Sequence, residues 1–124
     1  MRQVPDSVAR ARRSLGACLR DAGASPIAVA DAEVVFGELV ANAVEHGRPD
    51  AEGMIEVGWR LLPGAVQVGV HDWGHVDSLH PRAAGPADDR GRGLALVETL
   101  SERWSYREDD GTRVGAELRL TSRR

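Results

Sequence analysis

The chain has 124 residues, which is the length of one domain with a single hydrophobic core. It is 42% hydrophobic and 28% charged with a formal net charge of -3, a balance that gives no electrostatic basis for direct binding of nucleic acid or an anionic membrane. All 16 basic residues are arginine, so a P-loop lysine, a Schiff base and a lysine general base are excluded, and a nucleotide would be held by glycines, arginines, helix termini and a metal ion.

Residues 7 to 22, SVARARRSLGACLRDA, set Val8, Ala11, Leu15, Cys18 and Leu19 at near-helical spacing with arginines between them, which predicts an amphipathic helix. Cys18, the single cysteine, reads as inert packing. The pairs Arg12-Arg13 and Arg123-Arg124 read as solvated surface. The N-terminal stretch has no apolar signal-peptide core, and no apolar run nears the roughly 18 residues of a membrane span. A cytoplasmic location is therefore expected. GASP breaks the first helix, with Ser25 as an N-cap and Pro26 as a first helical residue. A second helix is predicted from there to about His46, closed by Gly47 and stopped by Pro49, with a core stripe of Val35, Phe36, Leu39, Val40, Ala43 and Val44.

The period then changes from helical to alternating. Ile55, Val57, Trp59 and Leu61 form one alternating set, and Val66, Val68 and Val70 form another across a Pro63-Gly64 turn, which predicts two antiparallel strands with one covered face. After Asp72 comes a long stretch rich in Gly, Pro, Asp and Ala, bounded by glycines, which reads as a mobile lid over about 74–91. A third helix, LALVETLSERW, is expected directly after Gly93 with Leu94, Val97 and Leu100 in the core. Two closing strands, WSYRE and TRVGAELRL, are joined by a turn at Asp109-Asp110-Gly111. The expected architecture is one domain over 1–124: an α/β (α+β) two-layer sandwich, helices on one face of a mixed, mostly antiparallel sheet.

Three groups of residues carry chemistry. On a wheel of about 100° per residue, Glu38, Asn42 and Glu45 share a narrow arc bordered by His46, with the apolar stripe across from it. Such an arc is the ordinary solvated face of an amphipathic helix. Against that, asparagine is a poor interior helix residue, and Asn42 is the only one in the chain. Its amide oxygen suits a metal, and a glutamate one turn earlier suits an attacking oxygen. Val34, Gly37 and Ala41 border the arc with small or apolar groups, as a pocket wall would. Asp72 continues the parity of the three buried valines, so it places a carboxylate on the inner face at a strand end. Either a turn explains it or a donor such as a purine amine meets it there, and Gly74 leaves room for a flat ring. Finally, Gly91 and Gly93 precede a helix whose first N–H groups and dipole favour an anion, with Arg90 and Arg92 flanking. A tight loop has the same signature.

Taken in order, Glu-x-x-x-Asn-Ala-x-x-His-Gly, Asp-x-Gly after a strand, a lid and Gly-x-Gly-Leu opening a helix resemble the GHKL ATPase superfamily with its Bergerat fold. The nearest resemblance is to the small bacterial anti-sigma factors with serine-protein-kinase activity, and it runs from SVARARRSL to GAELRL. It implies ATP and Mg2+ as cofactors, Glu38 as general base, and Asn42 as the Mg2+ ligand. Asp72 and Gly74 would hold adenine, with Thr112 at the adenine pocket. Gly91, Gly93 and Leu94 would lie at the phosphates, Arg92 adding a charge contact beside Arg90, and His46, at the end of the motif helix, is counted with the nucleotide-binding residues. The implied partners are a sigma factor and a STAS-domain anti-anti-sigma protein, with a possible homodimer through the N-terminal helix. The alternative is a nucleotide-sensing module that regulates by contact without efficient transfer. The chain departs from the family pattern in keeping one glycine after Asp72 and in having Thr112-Arg113-Val114-Gly115 in the closing strand.

Overall fold

A computed structural model of the chain describes residues 5–46, 55–72, 89–108 and 112–121. In chain order its elements are α1 (Pro5–Asp21), α2 (Pro26–His46), β1 (Glu56–Leu62), β2 (Ala65–Asp72), α3 (Asp89–Leu100), β3 (Arg103–Glu108) and β4 (Thr112–Arg119). The Gly47 and Pro49 stop, the lid from 74 to 88 and the Asp109-Asp110-Gly111 turn lie outside the described residues.

Local chemistry sets the helix ends. Pro5 occupies the first position of α1, where the missing N–H is one that the helix leaves unused. At the other end Gly23 takes a φ of 85°, and its N–H donates to Arg20 O at 3.0 Å while Ala24 N donates to Leu19 O at 2.9 Å. This reversal is available to glycine without steric cost and satisfies two of the helix's last carbonyls. The chain turns straight into α2, whose first turn is capped by Ser25: Ala28 N donates to Ser25 Oγ at 3.1 Å. Replacing Ser25 with alanine is expected to lower the unfolding free energy by about 1 kcal/mol, read from a urea melt; an unchanged midpoint would contradict the cap's role.

The four strands make one sheet in the order β1-β2-β4-β3, and all three described pairings are antiparallel. Of the mixed, mostly antiparallel sheet expected, the antiparallel part holds and no parallel pair occurs among the described strands. β2 and β3 do run in the same direction, but β4 lies between them, so no parallel neighbours meet. The β1–β2 hairpin turns at Pro63-Gly64 with a φ of 73° at Gly64.

The three helices cover one face of the sheet. Val66, Val68 and Val70 from β2, and Val114, Ala116 and Leu118 from β4, point into a core shared with Leu15 and Leu19 of α1, Val35, Phe36, Leu39, Val40 and Ala43 of α2, and Val97 of α3. Phe36 meets half-buried Trp59 of β1 edge to face, with ring centroids 6.3 Å apart and planes at 86°. Helix α2 is the centre of the helix layer, packed between α1 and α3 and against β2 and β4.

Candidate functional site

Two main-chain bonds determine which end of the sandwich each helix faces. Ser25 N donates to Leu120 O at 2.9 Å, so α2 starts at the C-terminal end of β4 and runs back over the sheet. From Ser25 to Asn42 a helix advances about 25 Å, and from Leu120 to Thr112 a strand covers about 27 Å. Asn42 is thereby carried to the level of Thr112, the Cα partner of Asp72 across the β2–β4 ladder. Helix α3 is tied at its other end: Glu102 N donates to Glu117 O at 2.8 Å, and Arg119 Nε reaches Glu102 Oε1 at 2.6 Å. From there α3 rises about 18 Å toward the same level, N-terminus leading. The second half of α2, the start of α3, the end of β2 and the beginning of β4 thus converge on one end of the molecule.

Asn42 is the unusual residue of that end. It is only 7% exposed, and its Oδ1 is buried without a hydrogen-bond partner among the described residues. Leaving a buried amide oxygen unmatched costs about 1–3 kcal/mol, so such groups are rare in folded proteins. Its position on the helix explains the burial. At about 100° per residue, Asn42 falls about 20° from Val35 and about 60° from Leu39, both fully buried. The polar arc therefore adjoins the apolar stripe, where the wheel reading set the two across from each other. Glu38, one turn earlier, is half-buried at the same edge.

Val34 and Ala41 do not form a pocket wall. Val34 is 42% exposed and Ala41 is exposed as well; both lie on the outer surface of α2. Gly37, the third member, packs against α1: a Cβ built there would stand 3.3 Å from Arg12 Nη2.

The start of α3 also departs from the sequence expectation. The helix begins at Asp89, so Gly91, Arg92 and Gly93 lie within its first turns, and it ends at Leu100, short of Trp104. An acidic residue at the first position is favoured by the helix dipole, which accounts for an earlier start than glycine content suggests. The uncommitted main-chain N–H groups of such a helix are those of its first turn, from Asp89 to about Gly91. Leu94 is buried at 4% exposure, and the next turn of α3 joins the core through Val97. Gly74 lies outside the described residues, and for His46, Asp72, Arg90, Arg92 and Thr112 the description extends to the backbone position.

Among the described residues, no group of three or more His, Cys, Asp and Glu is placed to hold a metal. A cation at this end would take Asn42 Oδ1 as its protein oxygen and complete its shell with water and ligand oxygens, as Mg2+ with a nucleotide does. The orphaned oxygen fits that requirement, since a hard cation supplies what no described donor does.

The arrangement is matched at the level of family. The sequence matches the histidine kinase-like ATPase domain family over residues 1–121, and the chain belongs to that family, within the GHKL superfamily. Among solved structures, it is similar to the histidine kinase domain from the Erythrobacter litoralis EL346 blue-light activated histidine kinase. The TM-score is 0.56 at 20% identity, over 75% of this chain and 45% of that one. That likeness is one of fold, and this chain spans less than half the length of that domain. No curated protein matches the chain. Among the described residues, no helix is long and apolar enough to cross a membrane.

Proposed function

We propose that this chain binds ATP with Mg2+ at the end of the sandwich where α2, α3, β2 and β4 converge, and that it acts as an anti-sigma-factor-like serine/threonine-protein kinase. In this reading it binds a sigma factor and phosphorylates a STAS-domain anti-anti-sigma protein. The observation that carries the nucleotide reading is the buried, unpartnered Oδ1 of Asn42, one helical turn from Glu38. The resemblance along nearly the whole chain supports the kinase and partner assignments.

The residues divide the work by position. Asn42 offers a neutral oxygen that is already desolvated, so little reorganisation is needed when a cation arrives. Bound Mg2+ would supply charge neutralisation for the phosphates. The first turn of α3 presents main-chain N–H groups and the positive end of its dipole to an anion. Asp72 stands at the strand end to accept hydrogen bonds from the adenine amino group, beside Thr112 across the ladder. Glu38 sits one turn before Asn42, close enough along the helix to accept a proton from an attacking hydroxyl while Asn42 serves the metal.

The test is phosphoryl transfer from labelled ATP to a STAS-domain protein. Glu38→Ala is expected to cut transfer by about 10²-fold or more while nucleotide binding is kept. Binding without transfer in the wild type, unaffected by Glu38→Ala, would sink the kinase assignment and leave a nucleotide-sensing regulator. Absence of adenine-nucleotide binding, with Asp72→Asn identical to the wild type, would sink both readings.

A further inference from the structure

The sheet face turned away from the helices carries a groove that the nucleotide reading does not use. Its register aligns Gly58 with Gly69, Gly69 with Gly115, and Gly115 with Ser105. A floor almost without side chains therefore crosses all four strands. Two rows of long polar residues flank it, forming a depression of about 980 Å³. One wall is Arg60, Gln67, Glu117 and Arg103; the other is Glu56, His71, Arg113 and Arg107. Wall residues on one strand are four apart, so the walls stand about 13 Å from each other.

Charge separates the two walls. The first is internally matched: Arg60 Nη2 donates to Gln67 Oε1 at 3.0 Å, Gln67 Nε2 donates to Glu117 Oε1 at 3.4 Å, and Arg103 Nε lies 3.7 Å from Glu117 Oε2. On the second, Glu56 lies 3.9 Å from His71 Nδ1, but Arg107 and Arg113 are direct cross-strand partners. Like charges set opposite one another destabilise a sheet, and no carboxylate among the described residues pairs with either arginine. Four arginines against two glutamates make this face positive on a chain whose net charge is -3.

The fold itself does not require the glycine floor. Gly58, Gly69 and Gly115 do not have positive φ, and the ladders run through them without a bulge. A Cβ would meet nothing within 4 Å at Gly58 and make an ordinary 3.5 Å contact at Gly69 and Gly115. Glycine inside a strand that neither bulges nor crowds marks a place where something outside approaches the backbone.

We propose that this face is a docking groove for an extended acidic segment of a partner polypeptide, its main chain on the glycine floor and its carboxylates on Arg107 and Arg113. Acidic peptide is favoured over single-stranded nucleic acid because the rings that line the depression offer no exposed stacking face: Trp59 and Trp104 pack against the core, and His71 is only 6% exposed. Trp104 and Tyr106 sit in register between the wall residues of β3 and pack against the core on the helix side. The proposal does not depend on nucleotide binding.

The probe is a fluorescent peptide of about ten residues alternating glutamate and glycine, long enough to cross the four strands, titrated into the full chain by anisotropy. Binding that weakens with added salt is expected. The double variant Arg107→Glu, Arg113→Glu should lose at least about tenfold in affinity. Gly58→Val and Gly69→Val should each lose a similar factor while raising the thermal midpoint, because valine suits a strand better than glycine. That pair of opposite signs separates an obstructed groove from a damaged fold. Unchanged peptide affinity in the valine variants, or tighter binding of a labelled oligothymidylate than of the peptide, would overturn the proposal.

Discussion

Replacing Asn42 with alanine is expected to stabilise the ligand-free protein and to abolish its thermal response to Mg2+ and ATP. The first effect has two sources. Alanine is better than asparagine inside a helix by roughly half a kcal/mol, and the substitution removes a buried oxygen whose unmet hydrogen bond costs about 1–3 kcal/mol. Loss of packing by the truncated amide offsets part of this, so the net gain is about 1 kcal/mol, or a few degrees in Tm. The second effect follows from linkage. With nucleotide at about 100 times Kd the wild type gains about 2.7 kcal/mol, and a variant without the oxygen gains little. Asn42→Asp supplies the complementary result: it retains an oxygen for the cation, so part of the Mg2+ response survives, while the buried charge lowers ligand-free stability. Scanning calorimetry with and without Mg2+ and ATP checks all three proteins. A fall in ligand-free stability together with an intact ligand response in Asn42→Ala would show that the oxygen serves neither purpose.

The largest effect on folding is expected at Phe36→Ala. Phe36 is 0% exposed and forms the edge-to-face pair with Trp59 that ties the central helix to the edge strand β1. Large-to-small substitution at such a site costs about 3–5 kcal/mol, and the lost aromatic pair accounts for about 0.5–1.5 kcal/mol beyond buried area. Against a typical domain stability of about 5–15 kcal/mol, the variant approaches its unfolding threshold. Val34, two residues earlier and largely outside the core, supplies the contrast: Val34→Ala should change stability by no more than about 0.5 kcal/mol. Urea titration followed by tryptophan fluorescence checks both, since Trp59 reports directly on the contact. Equal effects at the two positions would contradict the observed burial.

Much of the architecture was legible because it depends on local chemistry. The 3.6-residue spacing of Val35, Phe36, Leu39, Val40 and Ala43 and the two-residue spacing of Val66, Val68 and Val70 each identify an element and its buried side. Ser25-Pro26 and Pro63-Gly64 mark boundaries through hydrogen-bonding and φ preferences that act within a few residues. Where the reading failed, neighbours distant in sequence decided the outcome. Whether the sheet is mixed depends on β4 lying between β2 and β3, which no local pattern contains. The early start of α3 is the local exception: Asp89 at the first position is favoured by the helix dipole, and the glycines that follow are accommodated inside the first turns.

The site was divided in the same way. By itself the sequence determined that Glu38 and Asn42 share one helical edge, that Asp72 ends a strand in the parity of its buried valines, and that a glycine pair lies at the opening of a third helix. The ordered set of those motifs sufficed to recognise the family. Only the tertiary structure decided that Asn42 is buried beside Val35 with an unpartnered oxygen, because burial depends on which helices and strands close over a residue. It also decided that Gly58, Gly69 and Gly115 lie in one row, because alignment across strands is fixed by ladder register between segments up to about sixty residues apart. A side chain's face follows from its own neighbours in the chain, whereas its surroundings follow from long-range pairing.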